Sequence, residues 1–195
     1  MVINDKIEFT DLIGHQTFLY GEIDTKKTYY TAKFVDFLLK INLVNPQEIS
    51  ILDFAPKLRY INNLKVGGQI QDYSSESLKC NYIQFEGEII PPRLSSKNKK
   101  ELFNNLCHNF KITSGLLKKF REAPTKVLII NDISIYLHLG NKANLLDIIR
   151  RAKTFFGNSY YGKSIKSKFF SLLSILEKKR VEYLIKNIEN SVLMK

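Results

Sequence analysis

The segment from Gly21 to Thr28 carries residues whose types and spacing match a known chemistry. A phosphate-binding loop follows the pattern G-x-x-x-x-G-K-[ST], in which Gly21 is the first glycine, Lys27 the lysine and Thr28 the hydroxyl residue. Backbone N–H groups of such a loop surround a phosphate, the lysine neutralises it, and the hydroxyl holds Mg²⁺. The predicted nucleotide-binding residues are Gly21, Glu22, Ile23, Asp24, Thr25, Lys26, Lys27, Thr28 and Tyr29.

One position departs from this pattern, because Lys26 stands where the second glycine is expected. That glycine permits a backbone geometry and a close approach of phosphate that a side chain tends to block. The chain is therefore expected either to bind nucleotide in spite of Lys26, or to have kept the fold and lost the activity. A turn in which Lys26, Lys27 and Thr28 follow one another by chance is a third interpretation.

Strand patterns and helix patterns alternate along the chain. We predict strands at 16–20, 49–54, 82–85, 127–132, 154–158 and 191–194, and helices at 29–41, 97–121, 142–152 and 166–189. The continuous apolar run from Val127 to Ile130 is typical of a strand that is buried on both faces. Together these patterns predict a doubly wound, mostly parallel α/β sheet in three α/β/α layers, forming one domain over residues 1–195.

Two aspartates follow predicted strands at the edge where such sheets bind ligands. Asp53 and Asp132 are expected either to hold Mg²⁺ and orient an attacking hydroxyl, or to serve as helix caps and loop carboxylates. We predict Lys27, Asp53 and Asp132 as catalytic residues, and Thr28 with Asp53 as metal ligands. Asp24, inside the loop, would bond to loop amides, act as a base or only stabilise the turn.

A family resemblance rests on these same segments. The string from Gly21 to Thr28 resembles the G-x-[VI]-D-x-G-K-[ST] loop of the P-loop NTPases, in particular the polynucleotide 5′-hydroxyl kinase branch that acts in RNA processing. Further segments similar to that branch are Ile51-Leu52-Asp53, Phe85 to Pro91, and Ile129 to Asp132 followed by Gly140. The resemblance covers about residues 16–160 and implies a core that binds ATP with Mg²⁺.

The sequence also departs from this family. The kinases' substrate-clasping motif is not found around Asn131 and Asp132, and their accessory domains are absent. The G-x-V-D-x-G-K-T form also occurs in translation-type GTPases, but their base-reading N-K-x-D motif is missing. The sequence therefore favours ATP over GTP.

Positive charge is concentrated in the second half of the chain. Residues 97–195 contain twenty Lys and Arg against seven Asp and Glu, whereas residues 1–96 contain ten against twelve. This excess predicts either an RNA or DNA partner or, as the sequence favours, solvated faces of Lys-rich helices. The basic residues expected either to cover a transferred phosphoryl group or to face solvent are Arg150, Arg151, Lys163, Lys166 and Lys168.

Other residue types argue against further classes of site. Cys80 and Cys107 lack a CxxC spacing, which indicates reduced thiols in the cytoplasm. No apolar run approaches the about 20 residues that span a bilayer, and the first residues lack the apolar core of a signal peptide. The three histidines are dispersed, so a zinc site is not expected. Tyr160 and Tyr161 either stack on a base or pack beneath a loop.

Two functions remain open at this stage. The first is an active NTPase or phosphotransferase that acts on nucleic acid. The second is a binding or regulatory subunit of the same fold that no longer hydrolyses nucleotide. Both predict one fold, so the fold does not separate them.

Overall fold

The computed structural model describes residues 8–41, 44–61, 64–84, 86–164 and 171–195. The predicted site residues all lie within these ranges, whereas Phe85, Lys166 and Lys168 lie outside them. The described strands are β1 (Gln16–Gly21), β2 (Ile49–Asp53), β3 (Arg59–Ile61), β4 (Leu64–Val66), β5 (Asn81–Tyr82), β6 (Val127–Asn131), β7 (Thr154–Tyr160) and β8 (Asn190–Met194). The described α-helices are α1 (Lys27–Lys40), α2 (Pro92–Ser95), α3 (Lys99–Glu122), α4 (Ser134–Leu137), α5 (Lys142–Ile149) and α6 (Ser171–Asn187).

A six-stranded sheet in the order β5-β2-β6-β7-β1-β8 organises the described residues. Each neighbouring pair in it is parallel, so the carboxyl ends of β1, β2, β6 and β7 meet at one edge. The chain passes from β1 through α1 to β2, which lies on the other side of β6 and β7. Strand order therefore reverses beside β1, and such a reversal opens a crevice at the carboxyl edge.

Helices cover both faces of the sheet. One buried cluster joins α1 to one face through Leu19, Ile51 and Phe156, among others. The other cluster joins α3, α4, α5 and α6 to the opposite face through Phe18, Leu52 and Phe155. Alternate residues of β1 thus enter different clusters, as the two-residue period of a strand requires. The three-layer α/β/α fold expected from the sequence is confirmed.

Side-chain caps explain where two of the helices begin. The Oδ1 of Asn98 accepts the N–H of Glu101 at the start of α3, and Asn141 accepts the N–H groups of Ala143 and Asn144 at the start of α5. Helix α1 differs, because Lys26 precedes it in a left-handed conformation and makes no capping hydrogen bond through its side chain. The first N–H groups of α1 therefore receive no acceptor from the residue that usually caps them.

Several boundaries differ from the sequence prediction. Strand β7 continues to Tyr160 because it pairs with β1 as far as Gly21. The third strand, predicted at 82–85, is the short pair Asn81–Tyr82 beside β2. The antiparallel pair β3–β4 was not predicted, since three-residue strands give no readable alternation.

Candidate functional site

The loop between β1 and α1 keeps a glycine-like backbone at the position that Lys26 occupies. Lys26 has φ 58° and ψ 16°, which is the left-handed region that glycine adopts without cost. Asp24 also has a positive φ, of 59°. The side chain of Lys26 is exposed and does not fill the loop. Lysine in place of glycine at position 26 therefore leaves the turn closed, and its energetic cost is backbone strain at that one residue.

Gly21 is required by the neighbouring strand. A Cβ atom at Gly21 would overlap the backbone carbonyl oxygen of Met194, which faces it across the β1–β8 pair. The first glycine of the phosphate-loop pattern thus also lets the edge strand pair with β1 up to the start of the loop.

The ammonium group of Lys27 lies inside the loop. Its Nζ donates to the carbonyl oxygen of Glu22 and, at 3.0 Å, to the Oγ1 of Thr25. Burial lowers the pKa of Lys27 to about 8, although the carboxylates of Asp132, Glu22 and Asp24 act in the opposite direction. A desolvated cation with incomplete counter-charge is the local condition that an anionic ligand would relieve.

A network of amide side chains connects α1 to the ends of three strands. The Oγ1 of Thr28 donates to the Oδ1 of Asn131 at 3.1 Å, and the Nδ2 of Asn158 donates to the same oxygen at 2.8 Å. The Nδ2 of Asn131 donates at 2.8 Å to the Oδ1 of Asp53 and at 3.0 Å to the carbonyl oxygen of Gly68. Thr28 and Asp53, the two predicted metal ligands, are therefore joined through Asn131.

Both oxygens of Asp53 are occupied by hydrogen bonds. The Oδ1 accepts from Asn131 and from the N–H of Ala55, and the Oδ2 accepts from the N–H of Ile70 and from the Oη of Tyr82. Burial raises the pKa of Asp53 to about 6, and these donors partly offset the rise. Direct coordination of a metal by Asp53 stays a prediction, and it requires that one of these bonds be exchanged.

Asp132 also interacts with the Lys27 ammonium. It has a left-handed backbone, with φ 54°, and its Oδ1 accepts from the hydroxyl of Ser134 at 2.6 Å. Burial raises the pKa of Asp132, whereas Ser134 and the charges of His138 and Lys27 lower it. The structure thus brings Asp132 and Lys27 into one electrostatic group, as a catalytic role requires, and leaves that role a prediction.

A cavity of about 170 Å³ opens beside the loop, and residues of α2, α4, β7 and α6 and of the turns after β2 and β4 contribute to its lining. Lys27, Thr28 and Asp132 line one side of it, and Gly67 lines another. Gly67 has a φ of +80°, and a Cβ atom there would overlap the carbonyl oxygen of Pro56, so the wall at this point needs glycine. This volume is large enough for a phosphoryl group and a small second chemical group, and it is smaller than common ligand pockets.

A second cleft, of about 450 Å³, borders the outer side of the loop. Its lining includes Lys26, Tyr29 and Tyr73, and the Tyr29 and Tyr73 rings are perpendicular with centroids 6.3 Å apart. Lys27 and Thr28 line both clefts. The predicted nucleotide-binding residues therefore lie between an inner cavity and an outer, aromatic cleft.

Three buried side chains complete the inner cavity, and sequence analysis did not select them. Arg93 of α2 and His138, directly after α4, both contact the carboxylate of Glu177 on α6. The side chains of Arg93, His138 and Glu177 are only 6%, 5% and 5% exposed, respectively. Their positions lie 84 and 39 residues apart along the chain, so no local motif joins them. The only signal in the sequence is that the Pro91-Pro92 pair fixes Arg93 at a helix start.

The remaining predicted basic and aromatic residues separate into two regions. Arg150 and Arg151 follow α5 and precede β7, at the amino edge of the sheet, which is the edge opposite the loop. Lys163 lies at the carboxyl edge, where its N–H donates to the Glu22 carboxylate at 2.5 Å. Tyr161 packs perpendicular to Tyr20, and its Oη donates to Glu182 at 3.0 Å. Arg150 and Arg151 are therefore poorly placed to cover the loop, whereas Lys163 is adjacent to it.

In the described ranges, no three His, Cys, Asp or Glu side chains form a group that could hold a metal ion by themselves. A hydroxyl and one carboxylate next to substrate phosphates are nevertheless the usual donors for Mg²⁺, and Thr28 and Asp132 line the same cavity. Among the described helices, none combines the length and apolar character needed to cross a membrane.

Comparison with known proteins finds similarity at the level of solved structures. No protein-family model matches the chain, and no curated protein matches it. The crystal structure of Pif1 helicase from Candida albicans is similar with 14% sequence identity and a TM-score of 0.38. The match covers 100% of this chain and 40% of that chain, so the chain spans well under half the length of that helicase.

Proposed function

We propose that the chain binds a nucleoside triphosphate at the loop between β1 and α1 and transfers its terminal phosphoryl group to a hydroxyl. The observation that carries this proposal is the buried ammonium of Lys27, held inside a closed loop at the start of α1. The nucleotide is ATP rather than GTP, and the hydroxyl belongs to water or to a nucleic acid. The resemblance of residues 21–28 to polynucleotide kinases supports this choice of chemistry.

Lys27 and the first turn of α1 supply the phosphate contacts. The ammonium donates at present to the loop itself, through the carbonyl oxygen of Glu22 and the hydroxyl of Thr25. A phosphate in the inner cavity would give the ammonium a negatively charged acceptor in place of these two neutral oxygens. The N–H groups at the start of α1, which Lys26 does not cap, add their dipoles at the same point.

Oxygen donors for Mg²⁺ lie next to this position. Thr28 and one of the two carboxylates, Asp53 or Asp132, would hold the ion. The ion would neutralise charge that develops on the transferred phosphoryl group. Asp132 reaches the cavity directly, whereas Asp53 connects to Thr28 through Asn131.

The experiment is a titration of fluorescent ATP and GTP with Mg²⁺. Wild type is expected to show saturable binding, tighter for ATP. Lys27→Met is expected to weaken it at least tenfold, because the substitution removes the buried charge and keeps the length of the side chain. Lys40→Met, at the exposed end of the same helix, is the matched control and should bind as wild type. Absence of saturable binding at millimolar nucleotide overturns the proposal.

A binding protein without turnover is the second candidate. The observation that favours it is the saturation of Asp53 by four donors, which leaves no free oxygen for a metal. This candidate predicts saturable nucleotide binding with no release of phosphate. Release of phosphate that is abolished by Lys27→Met would exclude it.

The nucleic-acid partner is proposed from the charge distribution and tested separately. Retention of RNA by the chain is expected to fall steeply as salt rises, because phosphate contacts release counterions. Retention that does not change between 50 and about 200 mM salt would contradict an electrostatic partner of this kind.

A further inference from the structure

The cluster of Arg93, His138 and Glu177 has features that packing alone does not explain. The Nε of Arg93 and the Nδ1 of His138 are both buried, and neither has a hydrogen-bond partner among the described residues. A buried polar atom without a partner costs about 1–3 kcal/mol, so such atoms in a folded chain usually mark a function or a missing ligand. Both side chains line the inner cavity together with Lys27 and Asp132.

Glu177 determines which nitrogen of the neutral His138 ring carries the hydrogen. The Nε2 of His138 lies 3.1 Å from the Oε2 of Glu177, and a carboxylate oxygen can only accept. The Nε2 therefore carries the hydrogen in the neutral ring, which leaves a lone pair on Nδ1. A base oriented by a carboxylate is the arrangement that activates hydroxyl nucleophiles in other enzymes.

We propose that His138 is the general base that deprotonates the hydroxyl attacking the terminal phosphoryl group, and that Arg93 donates its Nε–H to that phosphoryl group. The inference rests on the proposed function, and it adds the acceptor side of the site. The acceptor is a hydroxyl that enters the cavity opposite Lys27. Glu177 is a positioning residue, since it holds both Arg93 and His138 and contacts no substrate.

The step balances without a further reactant. The hydroxyl proton passes to the Nδ1 of His138, and the freed oxygen lone pair forms a bond to the terminal phosphorus. The bond between that phosphorus and the bridging oxygen breaks, and its electron pair leaves with the nucleoside diphosphate. The imidazolium, paired with Glu177, then returns its proton to solvent.

Charged side chains approach His138 from several elements. Glu177 and Arg180 belong to α6, and the Nη1 of Arg180 donates to the carbonyl oxygen of His138 at 2.6 Å. Arg93 faces the ring from α2 through Glu177, and Asp132 interacts with it from the turn after β6. Lys27, on α1, interacts electrostatically with Asp132.

The test measures turnover and nucleotide binding side by side. Release of phosphate from Mg-ATP and transfer to an oligoribonucleotide with a 5′-hydroxyl are followed between pH 5 and 9. His138→Asn is expected to lower kcat about 100-fold or more, the effect expected for loss of a general base, and to abolish the rise of kcat with pH on the acidic side of the profile. Its affinity for nucleotide should stay within about threefold of wild type.

Chemical rescue separates catalysis from packing. Turnover by His138→Ala is expected to rise at least tenfold when imidazole is added, because imidazole can occupy the vacated volume. His108→Ala is the matched control, since His108 is exposed on α3 and bonds only to the carbonyl oxygen of Glu88 among the described residues. Glu177→Gln, which keeps the size of the side chain, should lower kcat about tenfold and leave nucleotide binding unchanged.

The outcomes distinguish this inference from the function on which it rests. Normal kcat in His138→Asn overturns the inference and leaves the proposed function standing. Wild type that binds nucleotide but turns over with neither water nor the oligoribonucleotide also overturns it. Failure of wild type to bind nucleotide removes both.

Discussion

The hydroxyl of Thr28 donates to the amide oxygen of Asn131 at 3.1 Å, and this bond ties the first turn of α1 to the end of β6. Asn131 in turn donates to Asp53 at the end of β2, and Asn158 of β7 donates to Asn131. One amide group therefore sets the relative positions of three strand ends and the helix that follows the loop. Because all these groups are neutral except Asp53, the network holds its geometry without concentrating charge beneath the loop.

Removal of the Thr28 hydroxyl tests this network. Thr28→Val is expected to lower the free energy of unfolding by about 1 kcal/mol, since Asn131 keeps one donor to the same oxygen. It should also abolish the dependence of nucleotide affinity on Mg²⁺. Thr28→Ser keeps the hydroxyl and is the matched control for both measurements. Urea denaturation and nucleotide titration check the two effects, and equal behaviour of Val and Ser would contradict a role for the hydroxyl.

Tyr82 is expected to stabilise the buried carboxylate of Asp53. Its Oη donates to Asp53 at 2.8 Å, so Tyr82→Phe removes one of four donors from a buried charge. We expect a loss of about 1.5–3 kcal/mol in the free energy of unfolding at pH 7, the range for hydrogen bonds to charged groups. Tyr60→Phe is the control, because Tyr60 is 74% exposed and should change stability by less than about 0.5 kcal/mol. Equal stability of the two variants would show that the bond is not needed.

Stability should fall with rising pH through the titration of Asp53. Burial raises the pKa of Asp53 from 3.8 to about 6, so the folded chain binds this proton more tightly than the unfolded chain. The contribution of this group is therefore fully present below pH 4 and is lost as pH rises through 6, by about 3 kcal/mol. Urea denaturation at pH 4 and pH 7 measures the change. Asp53→Asn removes the titration, and the same pH dependence in both proteins would refute the assignment.

The sequence predicts the arrangement of elements better than their contacts. Helix α3 and strand β6 were readable because their apolar periods extend over enough residues to be distinctive. The extent of β7 beyond Asn158 could not be predicted, because pairing with β1, and not the pattern of these residues, fixes where the strand ends. Asp53 was found because it follows an apolar strand, yet nothing in the sequence indicates that four donors would close around it.

In the inner cavity, too, local patterns were predictable from the sequence and tertiary contacts were not. Lys27, Thr28 and Asp132 were predicted because each belongs to a short local pattern of a strand or a loop. Arg93 and Glu177 come together only after α2 has packed against α3, and α3 and α6 against α4, so their pairing depends on tertiary structure. A buried arginine and a buried glutamate are rare, but burial itself is not visible in a lone charged residue of a single sequence.

Lys26 gives the sharpest test of how a phosphate loop tolerates a missing glycine. Its φ of 58° costs a non-glycine residue about 1 kcal/mol, so Lys26→Gly is expected to raise the free energy of unfolding by about that amount. Lys111→Gly, on the exposed side of α3, is the matched control and should lower stability by about 0.7 kcal/mol, because its backbone is helical. Since the Lys26 side chain is exposed, nucleotide affinity should change less than threefold. A loss of nucleotide affinity of more than tenfold in Lys26→Gly would instead identify Lys26 as a phosphate ligand.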